Sequence, residues 1–556
     1  MTHSKLRLLA ALGVLGAIIG STACDGTPRH AAEGAGSAAS ATSAGPVPST
    51  VATVPAGPHD WLIRGGTLVD GTGGDRLAAD MLLQDGTIAW VGTADAGEPE
   101  ARDTLDATGL FVAPGFIDGH AHGNPLGESG FGNFLAMGVT TIVLGQDGSS
   151  PSAGDLAAHL DAVDETRPAV NVAYLAGHNT LRMESGIGYG VADDEALEAL
   201  ADLVGSAMDA GAFGLSTGLE YDPGIRADMK ELAAAARPVA ERGGVVMSHM
   251  RNEDARAVEA SLAELVEQGR RSGARVHASH MKVVLGSDPG QAARMLETMA
   301  RARAEGVRVT GDVYPYTASF TGLSILFPEW ARPPHDYGAV ATSRREELLD
   351  HLRARVESRN GPDATLFGSG FYAGLTLADA ARDPMRPYEE ILLELGPGGA
   401  SAAYFVMDED VMAAFLADPF VAVASDGSSS MAHPRGYGTF PLVLQRWVRD
   451  EPLLALEEAL RKMTGLPAAI LGLDDSVRVG DGGLAVPPRG RLAPGWAADL
   501  TVFDLDELEV MADFQAPHRL ARGVRHVFVA GEPVWELDGP LDVPGRGVAL
   551  RFLPTP

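Results

Sequence analysis

The sequence predicts an α/β protein: a (β/α)8 TIM-type barrel, a composite β-sandwich domain built from both termini, and an insertion near the barrel mouth. Three observations carry that reading. Strand-like and helix-like segments alternate through roughly 350 residues in the middle of the chain, the pattern of parallel βα units whose commonest single-domain closure is this barrel. Short strand-and-turn segments occupy both ends of the body. Polar side chains suited to hold a cation recur where barrel strands would end.

The alternation begins with a strand at Val139 to Leu144 and continues with helical apolar spacing over Asp193 to Ala210 and a strand at Gly211 to Ser216. Val245 to Ser248, the helix Ala255 to Ser272, Arg275 to Ser279, the helix Gln291 to Glu305 and Val307 to Asp312 keep the rhythm. From about 330 to 400, Pro and Gly clusters and an arginine-rich helix interrupt it, which reads as an insertion placed to act as a lid. At the front of the body, Trp61 to Val91 reads as short strands around a Gly65-Gly66 turn and an Asp85-Gly86 turn. Asp499 to Phe503 and Val524 to Ala530 mirror it at the far end, with Gly531 turning into Pro533-Val534-Trp535. The expected domains are residues 60–113 and 481–556 for the β-sandwich and 114–480 for the barrel.

Residues 1–24 read as an export signal. Lys5 and Arg7 precede an apolar run from Leu8 to Gly20, followed by the small residues Ser21-Thr22-Ala23. Cys24, the one cysteine of the 556 residues, stands where a bacterial lipoprotein signal would place its lipidated residue, although Ser21 replaces the usual aliphatic residue. Cleavage without lipidation is the alternative. Residues 25–59, rich in Ala, Ser, Gly and Thr, cannot bury enough apolar surface to offset their ordering entropy and read as a flexible tether. A single cysteine rules out an internal disulfide, so stability rests on the core. With 74 acidic against 43 basic residues the net charge is −31, which argues against nucleic acid as a partner and leaves Cys24 as the route to a membrane.

In Phe116 to His122, Phe-Ile-Asp-Gly-His-Ala-His, two histidines two residues apart on an extended segment face the same way, so one cation can hold both. Asp118 shares that face, and either orients a ligand or fastens the strand end. Alone, His-x-His is equally well explained by two exposed histidines. In register with other predicted strand ends stand Asp147, Tyr221, His249, His280 and Asp426. Four imidazoles and two carboxylates are the ligand set of a hydrolytic zinc site, which also needs an open position for water.

The stretches Pro114-Gly-Phe-Ile-Asp-Gly-His-Ala-His122, Gly177-His-Asn-Thr-Leu-Arg182, Ala212-Phe-Gly-Leu-Ser-Thr-Gly218, His249-Met-Arg-Asn-Glu253, Ser279-His-Met-Lys282, Asp312-Val-Tyr-Pro-Tyr316, Ser425-Asp-Gly427, His433-Pro-Arg-Gly-Tyr-Gly-Thr-Phe440 and Lys462-Met-Thr-Gly-Leu-Pro467 resemble the N-acyl-D-amino-acid deacylase (D-aminoacylase) branch of the amidohydrolase superfamily. The resemblance implies a zinc-containing barrel, with one or two Zn2+ ions, that hydrolyses the amide of N-acyl-D-amino acids. It implies His120 and His122 as ligands of a loosely bound metal and His249 and His280 as ligands of a tight one. Asp426 resembles the catalytic carboxylate, Tyr221 a donor to the scissile carbonyl, and Lys282, Tyr314 and Arg435 a clamp for the substrate α-carboxylate. The departure is Asp147, in Gly145-Gln146-Asp147-Gly148, where the family usually has a bridging cysteine. A carboxylate ligates zinc and can bridge two ions, and it survives conditions that oxidise a thiolate. No lysine stands near Tyr221 to supply the carboxylated lysine of other relatives.

Relatives that act on acidic D-amino acids carry arginine after Tyr-Pro-Tyr. Here Thr317 to Trp330 has no basic residue, so an uncharged D-side chain is the expectation. The alternatives are a relative acting on D-residue dipeptides or cyclic amides, and a tethered binding protein without turnover.

Overall fold

The computed structural model describes residues 53–93, 99–128, 130–382, 386–475, 477–479, 484–537 and 539–553. The expected export signal, Cys24 and most of the expected tether lie outside the described residues, and the first strand begins at His59, the last residue assigned to the tether.

Eight parallel strands form the barrel: β1 (Phe116–Asp118), β2 (Val139–Leu144), β3 (Asn171–Tyr174, continued by Ala176–Gly177), β4 (Gly214–Gly218), β5 (Val245–His249), β6 (Arg275–Ala278), β7 (Val309–Val313) and β8 (Val421–Val423). The ring closes beyond β1 and β8. Ala121 bridges Gly427 in parallel, the amide of Asp426 donates to His120 O at 2.8 Å, and that of His122 to Gly427 O at 2.8 Å. Closure therefore puts His120, His122 and Asp426 on one stretch of rim. Strands such as β2 are buried at every position, as expected of a sheet covered by helices on its outer face.

The helices follow from the pattern and the caps. Asp194–Ala210 buries Leu197, Leu200, Ala201, Val204 and Met208 on one face; Asp193 Oδ1 accepts from the Ala196 amide at 2.9 Å, and Gly211 at φ 122° ends it. Such an N-cap contributes about 1 kcal/mol. Val258–Ser272 and Pro289–Ala304 match the expected helices closely.

Strands from both ends join in one nine-stranded sheet, linked where Phe111–Pro114 pairs antiparallel with Leu500–Phe503. Gly65-Gly66 is not a turn, contrary to expectation. His59–Leu68 is one strand with a bulge between Ile63 and Gly66, Gly65 taking φ 73°, and the bend lets its first half pair with Ala101–Asp106 and its end with Phe111–Pro114. Asp85-Gly86 does turn, with φ 49° and 76°.

The insertion is wider than residues 330–400. It opens with the strand Ser319–Gly322, which pairs with Ser401–Tyr404, itself paired with Thr365–Phe367. With the helices Arg345–Glu357 and Tyr388–Leu395 it encloses its own core of Leu326, Leu348, Leu352, Phe367, Ile391 and Tyr404. Val284, just after β6, belongs to that core, so the insertion is seated on the barrel mouth.

Candidate metal centre and active site

Every residue expected to bind metal or substrate or to act in catalysis reaches one end of the barrel. His120 and His122 follow β1, Asp147 follows β2, Tyr221 follows β4, His249 ends β5, His280 and Lys282 follow β6, Tyr314 follows β7 and Asp426 follows β8. Arg435 starts the helix Arg435–Leu442. The rim is bent to aim them. Asp147, His280 and Asp426 adopt φ of 54°, 37° and 49°, left-handed values that non-glycine residues avoid and that cluster at functional sites.

Asp147 stands at the centre. Its Oδ1 lies 3.5 Å from Nε2 of His120, 3.5 Å from Nε2 of His280 and 3.8 Å from Nδ1 of His249, and its Oδ2 lies 3.6 Å from Nε2 of His122. Asp426 Oδ1 is 3.1 Å from His122 Nε2 and 3.7 Å from His120 Nε2. Two donor sets thus share Asp147: His120, His122 and Asp426 on one side, His249 and His280 on the other. Donors placed tetrahedrally at about 2.0–2.1 Å from zinc are about 3.3–3.4 Å apart, which matches these separations. Both ring nitrogens of His120 and Oδ1 of Asp147 are buried without a hydrogen-bond partner. Buried polar atoms left so are rare, and a cation between His120 Nε2 and Asp147 Oδ1 satisfies both of those atoms. The donors fit zinc.

Two glutamates that the sequence left without a role complete the cluster. Glu220 Oε2 is 3.1 Å from His249 Nε2, and Glu253 Oε1 is 3.2 Å from His280 Nδ1. His249 and His280 therefore each turn one nitrogen to the centre and the other to a carboxylate, the arrangement that orients histidine ligands of metals. Asp118 takes the second of its two expected roles. It accepts the backbone amides of His120 at 3.3 Å and Ser425 at 2.9 Å and the Ser425 hydroxyl, tying β1 to β8.

Charge follows the same plan. Burial pushes Asp147 up, but His120 and His280 hold it well below the usual carboxylate range. Burial and Lys282 press His280 down, yet Glu253, Asp426 and Asp147 outweigh them and raise it to about 10. Burial, with Asp147 and Glu220 beside it, pushes Tyr221 well above its ordinary value, so its hydroxyl stays protonated at neutral pH. Asp426, against the effect of burial, is lowered by Arg435, whose Nη1 lies 2.8 Å from Oδ2. Four carboxylates face two fixed cations, Lys282 and Arg435, and the remaining charge is met by protonated imidazole or, once those protons are displaced, by divalent metal.

Lys282 is buried, 2.8 Å from both oxygens of Glu253 and 2.7 Å from His280 Nδ1. The Tyr314 ring is near both cations, its centroid 5.9 Å from Lys282 Nζ and 4.7 Å from Arg435 Cζ. All three line a cavity of about 560 Å³ together with Tyr221, Asp426, Phe320, Ile325 and Arg359. The stretch Thr317 to Trp330 supplies apolar wall, as its composition suggested. Arg359 comes from elsewhere in the insertion, so the wall is not free of basic residues.

His178, directly after β3, takes no part. Its Nε2 is 2.9 Å from Glu231, which also binds Arg182 at 2.8 Å, a buried lock behind β3.

A parallel barrel whose rim gathers four imidazoles and two carboxylates around unsatisfied donors, beside a protonated tyrosine, defines a metal-dependent hydrolase of the amidohydrolase class. Residues 342–535 match the model of the amidohydrolase family. The chain is 36% identical to the N-acyl-D-glutamate deacylase of Alcaligenes xylosoxydans xylosoxydans over 88% of its own length and 96% of that protein, and 34% identical to the D-aminoacylase of the same organism over 86% and 95%. The crystal structure of N-acyl-D-glutamate deacylase from Bordetella bronchiseptica, complexed with zinc and a phosphonate inhibitor, superposes with a TM-score of 0.77 at 32% identity, covering 89% of this chain and all of that one. The chain belongs to the N-acyl-D-amino-acid deacylase family of amidohydrolases.

Proposed function

We infer that the protein hydrolyses the amide bond of N-acyl-D-amino acids, with zinc, to a carboxylate and a free D-amino acid. The observation that carries this reading is the convergence of Asp426, protonated Tyr221 and the Lys282–Tyr314–Arg435 wall on the two donor sets joined by Asp147. Zinc held there supplies a Lewis acid and lowers the pKa of bound water to about 7. Asp426 accepts the proton of the attacking water and passes it to the nitrogen as the C–N bond breaks. Tyr221 donates to the carbonyl oxygen as negative charge grows on it, its hydroxyl held by Thr321 Oγ1 at 3.2 Å. Arg435 and Lys282 receive the α-carboxylate, a planar fork and a point charge on the same anion.

A free carboxylate next to the scissile amide distinguishes this reading from one on cyclic amides. The test is a panel of N-acetyl-D- and N-acetyl-L-amino acids, D-residue dipeptides and hydantoins with zinc-loaded protein. Turnover confined to the N-acyl-D compounds is expected; hydrolysis of cyclic amides alone would overturn it.

Export, with Cys24 as a lipid anchor, is part of the same proposal. Its support is the charged start, apolar run and small residues before Cys24. Expression with labelled palmitate should label the wild-type chain and not Cys24→Ser; equal labelling would remove the anchor.

A further inference from the structure

The cavity has a cationic wall to which the deacylase chemistry gives no role. Arg359 follows the helix Arg345–Glu357 and is 3% exposed, yet it lines the same cavity as His249, Lys282 and Phe320. Its Nη1 is 3.4 Å from Asp254 Oδ1, and its Nε has no hydrogen-bond partner. Asp254 is shared. Arg355 Nη1 reaches its Oδ2 at 3.1 Å and Arg256 Nη2 at 3.9 Å, so one carboxylate faces three guanidiniums. The other acidic groups of the wall are committed: Glu253 to Lys282, Glu220 to His249, and Asp222 to Arg226 and Arg332. Burial pushes Arg359 below the usual arginine value, and Arg355 adds to it.

A second chamber of about 300 Å³ shares Glu220, Asp254 and Ile325 with the first and adds Arg332, whose buried Nε makes no hydrogen bond and lies 3.6 Å from Asp222 Oδ2. A guanidinium almost out of water, with a third share in one carboxylate, is costly until another anion completes its fork. Phe320 and Ile325 line the same cavity, which suits an apolar stem ending in charge.

We propose that Arg359, with the Arg332 chamber beside it, is a subsite for a second carboxylate on the substrate, distinct from the α-carboxylate held by Lys282 and Arg435. The proposal rests on the N-acyl-D-amino acid reading. Where the D-side chain carries that carboxylate, the proposal replaces the uncharged side chain expected from Thr317 to Trp330, because the cation enters from another part of the insertion. The second carboxylate is carried either by the D-side chain or by the acyl group.

The experiment pairs each acid with its isosteric amide: N-acetyl-D-glutamate with N-acetyl-D-glutamine, and N-succinyl-D-leucine with N-succinamoyl-D-leucine. In one arm kcat/KM should favour the acid by about tenfold or more, the worth of one charge-assisted hydrogen bond. Arg359→Gln should bring that ratio close to one, and Arg359→Lys should keep part of it. The arm that responds identifies the source. Acid and amide hydrolysed equally in both arms by the wild-type protein would overturn the subsite. Binding of the same pairs to metal-free wild-type protein, read as thermal shift, separates the two readings: preference for the dianion there, with no N-acyl-D hydrolysis by the zinc-loaded protein, sinks the deacylase and leaves the subsite standing. The wild-type ratios also decide the matter if Arg359→Gln does not fold.

Discussion

Nδ1 of His249 lies 2.9 Å from Nε2 of His280. Two imidazole lone pairs facing each other repel unless a proton or a metal lies between them, and the outer nitrogen of each ring is fixed by Glu220 or Glu253. Removing such an outer carboxylate costs about 10–100-fold in metal affinity. Glu220→Ala is the cleaner test, since the Glu220 side chain is 23% exposed and its loss strands no buried cation. Competition with a chelator should show zinc bound at least about tenfold more weakly. Unchanged affinity would mean that Glu220 does not orient His249.

Asp147 contacts all four histidines and belongs to both donor sets. Asp147→Ala should lose at least one equivalent of zinc after exhaustive dialysis, and Asp147→Cys, which offers a thiolate ligand in its place, should retain it. If metal analysis finds the alanine variant as fully loaded as wild type, Asp147 holds no ion.

The strand ends were legible because the period of two and the spacing of βα units are local. His120, His122, His249 and His280 could be placed on a rim without knowing what faced them. β3 is not legible as a strand: its run from Asn171 to Gly177 is rich in small residues, and Asn171 is fixed by a bond at 3.0 Å from its Nδ2 to Asp499, the residue before the terminal-sheet strand Leu500–Phe503. Glu253, in His249-Met-Arg-Asn-Glu253, carries no local signal of a role because its partners, His280 and Lys282, arrive from the next strand. Arg359 was out of reach for a similar reason. Its place in the cavity is set by how the insertion folds on its own core, a long-range matter that no window around Tyr314 contains.

Lys462 anchors the start of β8. Its ammonium donates to Asp418 O and, at 2.8 Å, to Val421 O, and it is wholly buried. Burial lowers its pKa to about 8, against 10.5 for an ordinary lysine. Between those values the unfolded chain binds more protons than the folded one, so this residue's contribution to stability rises with pH across that window and is lost as pH falls through about 8. Denaturant melts of wild type and Lys462→Met should diverge by about 3 kcal/mol more at pH 10.5 than at pH 7.5. A difference that does not change with pH would place the folded pKa near the ordinary value.

Asp426 is held at both oxygens, Oδ1 by His122 at 3.1 Å and Oδ2 by Arg435 at 2.8 Å. That grip fixes one rotamer, and Arg435 keeps the group ionised against the burial that would protonate it. An ionised carboxylate in one orientation is what a proton acceptor for the attacking water requires, and such a group contributes about 10²–10⁴-fold to rate. Asp426→Asn preserves shape but cannot take the proton, so kcat should fall by about three orders of magnitude. The zinc held by Asp147, His249 and His280 should remain, because none of those donors is changed. Metal analysis and kcat measured on the same preparation separate the two effects. Near wild-type turnover in a zinc-loaded variant would remove Asp426 from the chemistry, and loss of all zinc would make it a ligand first.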